Sequence, residues 1–144
     1  MTTSCTTNEC RVSCKKFFIA FVSVWALTFL CEWILHGKIL GQAYLETASL
    51  WRTEADMQSY FPFLTLAQAL GAGVFCYIFK KGFENKGVME GLRFGLVIGF
   101  FYSSMNLITY AVQPMPSSIV IMWTVGSFIE SILAGILLSF IYKK

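Results

Sequence analysis

The stretch IVIMWTVGSFIESILAGILLSFIY, residues 119–142, carries a single charged side chain, Glu130, close to its centre. An α-helix rises about 1.5 Å per residue and the hydrocarbon core of a bilayer is roughly 30 Å thick, so about 20 apolar residues suffice to cross it. Three further runs meet that length: 17–31, continuing through Glu32 to Leu35, then 61–79 and 94–112. In lipid every backbone amide must find its partner within the protein, which leaves helices or closed barrels, and barrel strands are shorter and alternate in polarity. The chain therefore reads as all-α. Four transmembrane helices are expected over about 15–36, 61–80, 91–112 and 117–142, within one integral membrane domain spanning residues 1–144.

Composition supports this reading. The chain is 56% hydrophobic and 13% charged, with a mean hydropathy of +0.64, so no stretch remains for a separate water-soluble core. The net charge of +3 raises the question of an acidic partner, but its placement is that of a topology signal. Arg11, Lys15, Lys16, Lys80, Lys81, Lys86, Arg93, Lys143 and Lys144 fall on one side of the implied path, and only Lys38 and Arg52 on the other. Nine against two places both termini and the 80–93 loop in the cytoplasm, with the protein in the cell membrane. The bilayer is then the first partner, with a homo-oligomer or a membrane protein partner as the second, and nucleic acid is not expected. A cleaved signal peptide is not expected either, because bulky Phe29 and Leu30 precede Cys31 where small residues would be needed.

Residues 1–14 read as a mobile polar tail. The long connection on the outer face mixes Tyr44, Leu45, Leu50, Trp51 and Met57 with Glu46, Glu54 and Asp56, which predicts a short amphipathic helix at the interface. Thr53 and Asp56 form a capping pair, and Pro62 is expected in the first turn of the second span. Gln113-Pro-Met-Pro116 is so short a link that the third and fourth spans must form an antiparallel hairpin. Gly91, Gly95, Gly99 and Ser103 recur every four residues, as do Ser127, Ser131, Gly135 and Ser139. Small residues at this spacing let two helix backbones approach, which predicts packing within the hairpin in preference to homodimerisation.

Polar residues at membrane depth supply the candidate site. Counting from the helix ends puts Glu130 near the midplane, with Tyr102, Ser103 and Ser104 at neighbouring depth and Arg93 reaching from the cytoplasmic side. A second group, Glu32, Gln68 and Asn106, is expected nearer the outer surface, with His36 on the same face as Glu32 and with Thr65, Tyr110 and Gln113 nearby. Together they would line a polar pocket, although each could equally serve as a tie between helices.

Other chemistry finds little support. Cys5, Cys10 and Cys14 lack a fourth ligand on their side of the membrane, so neither a metal nor a cofactor is expected. No C-x-x-C pair, phosphate-binding glycine loop, H-E-x-x-H motif or nucleophile triad is present.

The segment Glu90-Gly-Leu-Arg-Phe-Gly-Leu-Val-Ile-Gly99, with Met105-Asn-Leu, Val112-Gln-Pro-Met-Pro116 and Trp51-Arg-Thr-Glu-Ala-Asp-Met57, resembles a family of small four-helix bacterial integral membrane proteins of uncharacterised function. The resemblance spans residues 15–142 and implies the fold, not an activity. Length and helix number are similar to those of small multidrug transporters, but their essential carboxylate lies in the first helix and the deep one here is Glu130 in the fourth. The expected function is non-enzymatic binding of a small amphipathic ligand or a membrane partner through the polar interior. The alternatives are a proton-coupled transporter using Glu130 and a membrane enzyme using Glu32 and His36.

Overall fold

The computed structural model describes the backbone of residues 7–143 and the side chains of 14–143. α1 runs Thr7–Ile34 and passes into a wide π turn, Leu35–Ile39. α2 is Gly41–Glu46, a 3-10 turn covers Ala48–Leu50, and α3, α4 and α5 are Glu54–Gly82, Val88–Val112 and Ser117–Tyr142. No strand occurs among the described residues. Four segments are long and apolar enough to cross a membrane, and only 17–28% of each apolar window is buried inside the protein. So much apolar surface on every helix needs a cover that water does not provide, and this is the surface of a membrane protein.

Several helix ends depart from the sequence reading. Residues 7–14, expected as mobile tail, belong to α1, because nothing in that stretch breaks a helix that lipid-spanning residues propagate from the other side. Cys5 and the side chain of Cys10 lie outside the described residues. α3 starts at Glu54 rather than 61: the Thr53 hydroxyl accepts the Asp56 amide at 3.3 Å, and Glu54 and Asp56 stabilise the first turn against the helix dipole. The capping pair thus opens the long helix and not a separate one in the loop. Pro62 consequently sits inside α3, where it removes the bond to the Gln58 carbonyl.

At the other end of α3 the 80–93 stretch shrinks to a tight turn over 83–87. Glu90 makes it so, its carboxylate accepting the amides of Glu84 at 2.5 Å and Lys86 at 2.8 Å. Asn85 and Gly87 take positive φ of 59° and 72°, which Asn and Gly tolerate best. The Lys86 ammonium pairs with Glu84 and holds its carboxyl below the usual range. Charge-assisted bonds of this kind contribute about 1.5–3 kcal/mol each, so Glu90→Ala should raise hydrogen exchange at the Glu84 and Lys86 amides by about 10- to 100-fold. Exchange in the interior of α4 and α5 should not change, and mass spectrometry of the 83–90 peptide reads the difference.

The hairpin packs as the small-residue stripes predict. Gly91, Gly95, Gly99 and Ser103 are the buried face of α4, and a Cβ added at Gly95 would lie 2.5 Å from the Ile132 Cα. Gly91 and Gly135 meet backbone to backbone. The serines on the seam satisfy themselves within their own helices, Ser103 donating to the Gly99 carbonyl at 2.8 Å and Ser139 to that of Ile136 at 2.7 Å. Neither hydroxyl is therefore stranded between two helices that lie too close for water.

α1 packs on both α3 and α5, α4 lies along α5, and the backbones of α3 and α4 stay apart. The order around the bundle is α4, α5, α1, α3, with a gap between the two outermost helices. Near the end where α1 begins and α5 finishes, a core of Ala20, Val24, Phe75, Cys76, Phe79 and Leu138 fills the interior. Phe94 bridges to α3 there, its ring centroid 4.8 Å from that of Phe75 and 5.2 Å from that of Phe79. Beyond this core, toward the end capped by α2, the gap becomes a cavity.

Candidate functional site

The register of α1 against α5 decides what faces the cavity. Leu35 presses on Gly126, where an added Cβ would come within 2.5 Å of its Cδ2. Stepping one turn back along α1 and one turn forward along antiparallel α5 brings Glu32 opposite Glu130, and the two carboxyl groups lie within hydrogen-bonding reach. Two carboxylates so close repel each other unless a shared proton or a cationic group lies between them. The two depth groups counted from the sequence become one. Counting assumes that all helix ends lie level, whereas α1 continues through five residues of π turn beyond Ile34.

The pair opens into a cavity of about 230 Å³. Val24 and Thr28 from α1, Ala67, Gly71, Ala72 and Phe75 from α3, and Ser131 from α5 form a mostly apolar wall. Gln68 adds an amide and Tyr102 is the only side chain from α4. Tyr102 spans the gap, its hydroxyl 3.9 Å from where a Cβ on Gly71 would stand. The cavity thus joins charge, hydrogen-bonding groups and apolar surface at the seam where α3 and α4 do not pack.

Four expected site residues, Glu32, Gln68, Tyr102 and Glu130, therefore meet in one place. Asn106 does not line the cavity: its Nδ2 donates to Ser127 Oγ at 3.3 Å and ties α4 to α5. Arg93 is exposed and acts on the Glu84 turn, one helix end away from Glu130. The stripe of glycines fixes this, because the face of α4 that meets α5 is spent on Gly91, Gly95 and Gly99, which turns Arg93 outward. Thr65 bonds the carbonyl of Phe61 at 3.0 Å, Tyr110 is exposed, and Gln113 is the C-cap of α4.

His36 sits just outside the cavity and connects it to the capped end. Its Nε2 lies 3.0 Å from Glu32, one turn back on α1. Its Nδ1 lies 2.5 Å from the hydroxyl of Tyr44 on α2, which accepts the Trp123 indole N–H at 2.8 Å. An indole nitrogen only donates, so one lone pair of the Tyr44 oxygen is taken and its proton can point at Nδ1. That network lets Tyr44 donate to Nδ1 while Nε2–H is directed at Glu32. Burial pushes the Tyr44 hydroxyl up to about 12, with the Trp123 bond opposing and Glu32 reinforcing the rise, so it keeps its proton.

Trp51 closes the cluster, edge-on to Tyr44 at 5.1 Å and to Trp123 at 6.0 Å, with its indole N–H on Thr47 Oγ1 at 2.8 Å. In sequence Tyr44 and Trp51 read as membrane-interface anchors, and Trp123 stands out in no way. The only signal for the cluster is aromatic residues near two helix ends that the topology brings together. Among the described residues no group of three or more His, Cys, Asp or Glu side chains could hold a metal ion.

Fold and site together define a four-span helical membrane protein with a half-buried carboxyl pair beside a lateral gap. No family model, curated protein or solved structure matches the chain, so the likeness seen in residues 51–57 and 90–116 rests on those residues alone.

Proposed function

We propose that this protein is a non-enzymatic cell-membrane protein that takes a small amphipathic ligand from the bilayer into the cavity between α3 and α4. The observation that carries this reading is the carboxyl pair Glu32 and Glu130 at the end of an apolar chamber whose α4 side is a single tyrosine. The ligand's head donates hydrogen bonds or carries positive charge, as an alkylamine does, and its tail leaves through the seam into lipid. Intramembrane ionisable groups are costly, and a site that uses them offsets that cost. The excess of basic residues on one side supports a cytoplasmic location for both termini and the 83–87 turn, with the short helix α2 covering the bundle from outside.

Against an enzyme using Glu32 and His36 stands the position of His36, which does not line the cavity and has both ring nitrogens engaged. A proton-coupled carrier would use the same chamber and would add flux to binding.

The test uses the full chain in lipid nanodiscs and a long-chain alkylamine bearing a photoreactive diazirine. Labelling should concentrate on the 67–75 stretch of α3 and on Tyr102. The double variant Glu32→Gln/Glu130→Gln should reduce it there by about tenfold, equivalent to about 1.4 kcal/mol of binding. Labelling spread evenly over the lipid-facing helices, and unaffected by the two substitutions, would count against a site.

A further inference from the structure

The bonds beyond the cavity form a continuous path. Glu130 reaches Glu32, Glu32 meets His36 Nε2 at 3.0 Å, and His36 Nδ1 meets the Tyr44 hydroxyl at 2.5 Å. Each link joins groups that give and take protons, and the path runs from the interior of the bundle to the half-buried aromatic cap. We propose that Tyr44, His36, Glu32 and Glu130 form a proton relay between the cavity and the aqueous face at the capped end, with Trp123 holding its mouth in register.

The geometry supplies what a relay needs. Trp123 occupies one lone pair of the Tyr44 oxygen and leaves the other for water. A proton from hydronium adds there, leaving water, as the hydroxyl proton passes to His36 Nδ1, and the Nε2 proton passes to a carboxylate oxygen of Glu32. Glu32 then exchanges it with Glu130. One proton enters and one is delivered, only O–H and N–H bonds change, and no electrons move. The imidazole is left as the Nδ1–H tautomer, and passage of a proton back along the same path resets it, so that the cavity and the water exchange protons.

The π turn over Leu35–Ile39 contributes directly. It closes an i to i+5 bond from the Leu40 amide to the Leu35 carbonyl at 2.9 Å, and the chain then folds back so that α2 carries Tyr44 over the imidazole. The rings of His36 and Tyr44 stack nearly parallel, 9° apart with centroids at 5.8 Å, and Trp123 leans on the same imidazole at 6.1 Å. Lys38, the nearest cation in sequence, is turned away onto the ring of Trp33 at 5.1 Å. The relay rests on the carboxyl pair of the proposed binding site and requires no ligand.

The experiment follows proton exchange itself. In hydrated films of the full chain in lipid, the carboxylic acid C=O stretch that disappears in Glu130→Gln marks the buried proton, and its shift after transfer from H2O to D2O gives the exchange rate. His36→Asn should slow that exchange tenfold or more, and free imidazole in the water should restore it, which a structural loss would not permit. Tyr44→Phe, which leaves the His36 and Glu32 contact in place, should also slow exchange and serves if His36→Asn does not fold. Exchange at the wild-type rate in either folded variant would overturn the relay, as would slowing that imidazole does not relieve in His36→Asn. Absence of any band removed by Glu130→Gln would overturn the shared proton. Alkylamine labelling of the cavity, measured separately, would still report on ligand binding.

Discussion

The Gly95→Leu variant is expected to yield almost no folded protein, whereas Gly82→Leu should behave as wild type on size-exclusion chromatography. The difference lies in what a Cβ meets. At Gly95 it would stand 2.5 Å from both the Ile132 Cα and the Ser131 carbonyl oxygen, and at Gly82 nothing lies within 4 Å. Backbone cannot rotate aside as a side chain can, so α4 and α5 must separate along their length, and their interface is the most extensive in the bundle. Forcing even modest excess volume into a close-packed core costs about 1–3 kcal/mol. In lipid no solvent-driven force holds the pair together once the two backbones stand too far apart for dispersion attraction.

The alanine pair makes the sign itself the test. Alanine is favoured over glycine by roughly 1 kcal/mol in a helix interior, so Gly82→Ala should be neutral or slightly stabilising near its helix end. Gly95→Ala should lower the midpoint of thermal unfolding in detergent despite that gain. If Gly95→Ala and Gly95→Leu were both tolerated, the glycines would not be the seam.

That seam is legible in the sequence, because a period of four places residues on one face and smallness says how near a neighbour comes. The four spans and the hairpin are legible for the same kind of local reason: length, apolarity and a connection too short for anything but reversal. Helix ends are not, since whether residues 54–60 extend α3 depends on Thr53 capping a helix that could have begun at Phe61. The site is legible in part. Glu32, Gln68, Tyr102 and Glu130 stand out by type and depth, but periodicity gives a residue's face on its own helix and not which helix that face meets. Asn106 and Arg93 have the same credentials and go elsewhere. Tyr44 and Trp123 are 79 residues apart, and their bond follows from how the π turn aims α2, which no local pattern encodes.

Glu130→Met should make the protein more stable and disable the site. A charged group at the bilayer centre costs about 2.5–3.5 kcal/mol on insertion scales, and removing one of two facing carboxyl groups also relieves their mutual repulsion. Methionine fills nearly the same space, adapts to an irregular chamber, and leaves Glu32 its bond to His36 at 3.0 Å. The midpoint of thermal unfolding should therefore rise or hold, while alkylamine labelling of α3 falls and the exchangeable carboxylic acid band vanishes. The opposite pattern, a lower midpoint with labelling unchanged, would mean that Glu130 serves α1 and α5 as a structural tie. Asn106→Leu supplies the comparison, because Asn106 donates to Ser127 between α4 and α5 and lines no cavity. There the removal of an interhelical bond, worth about 0.6 kcal/mol on average in membrane proteins, should appear as a small destabilisation with labelling intact. A residue kept at a cost to stability is one whose use lies in the cavity, so Glu130→Met should lose labelling without losing stability and Asn106→Leu should lose stability without losing labelling.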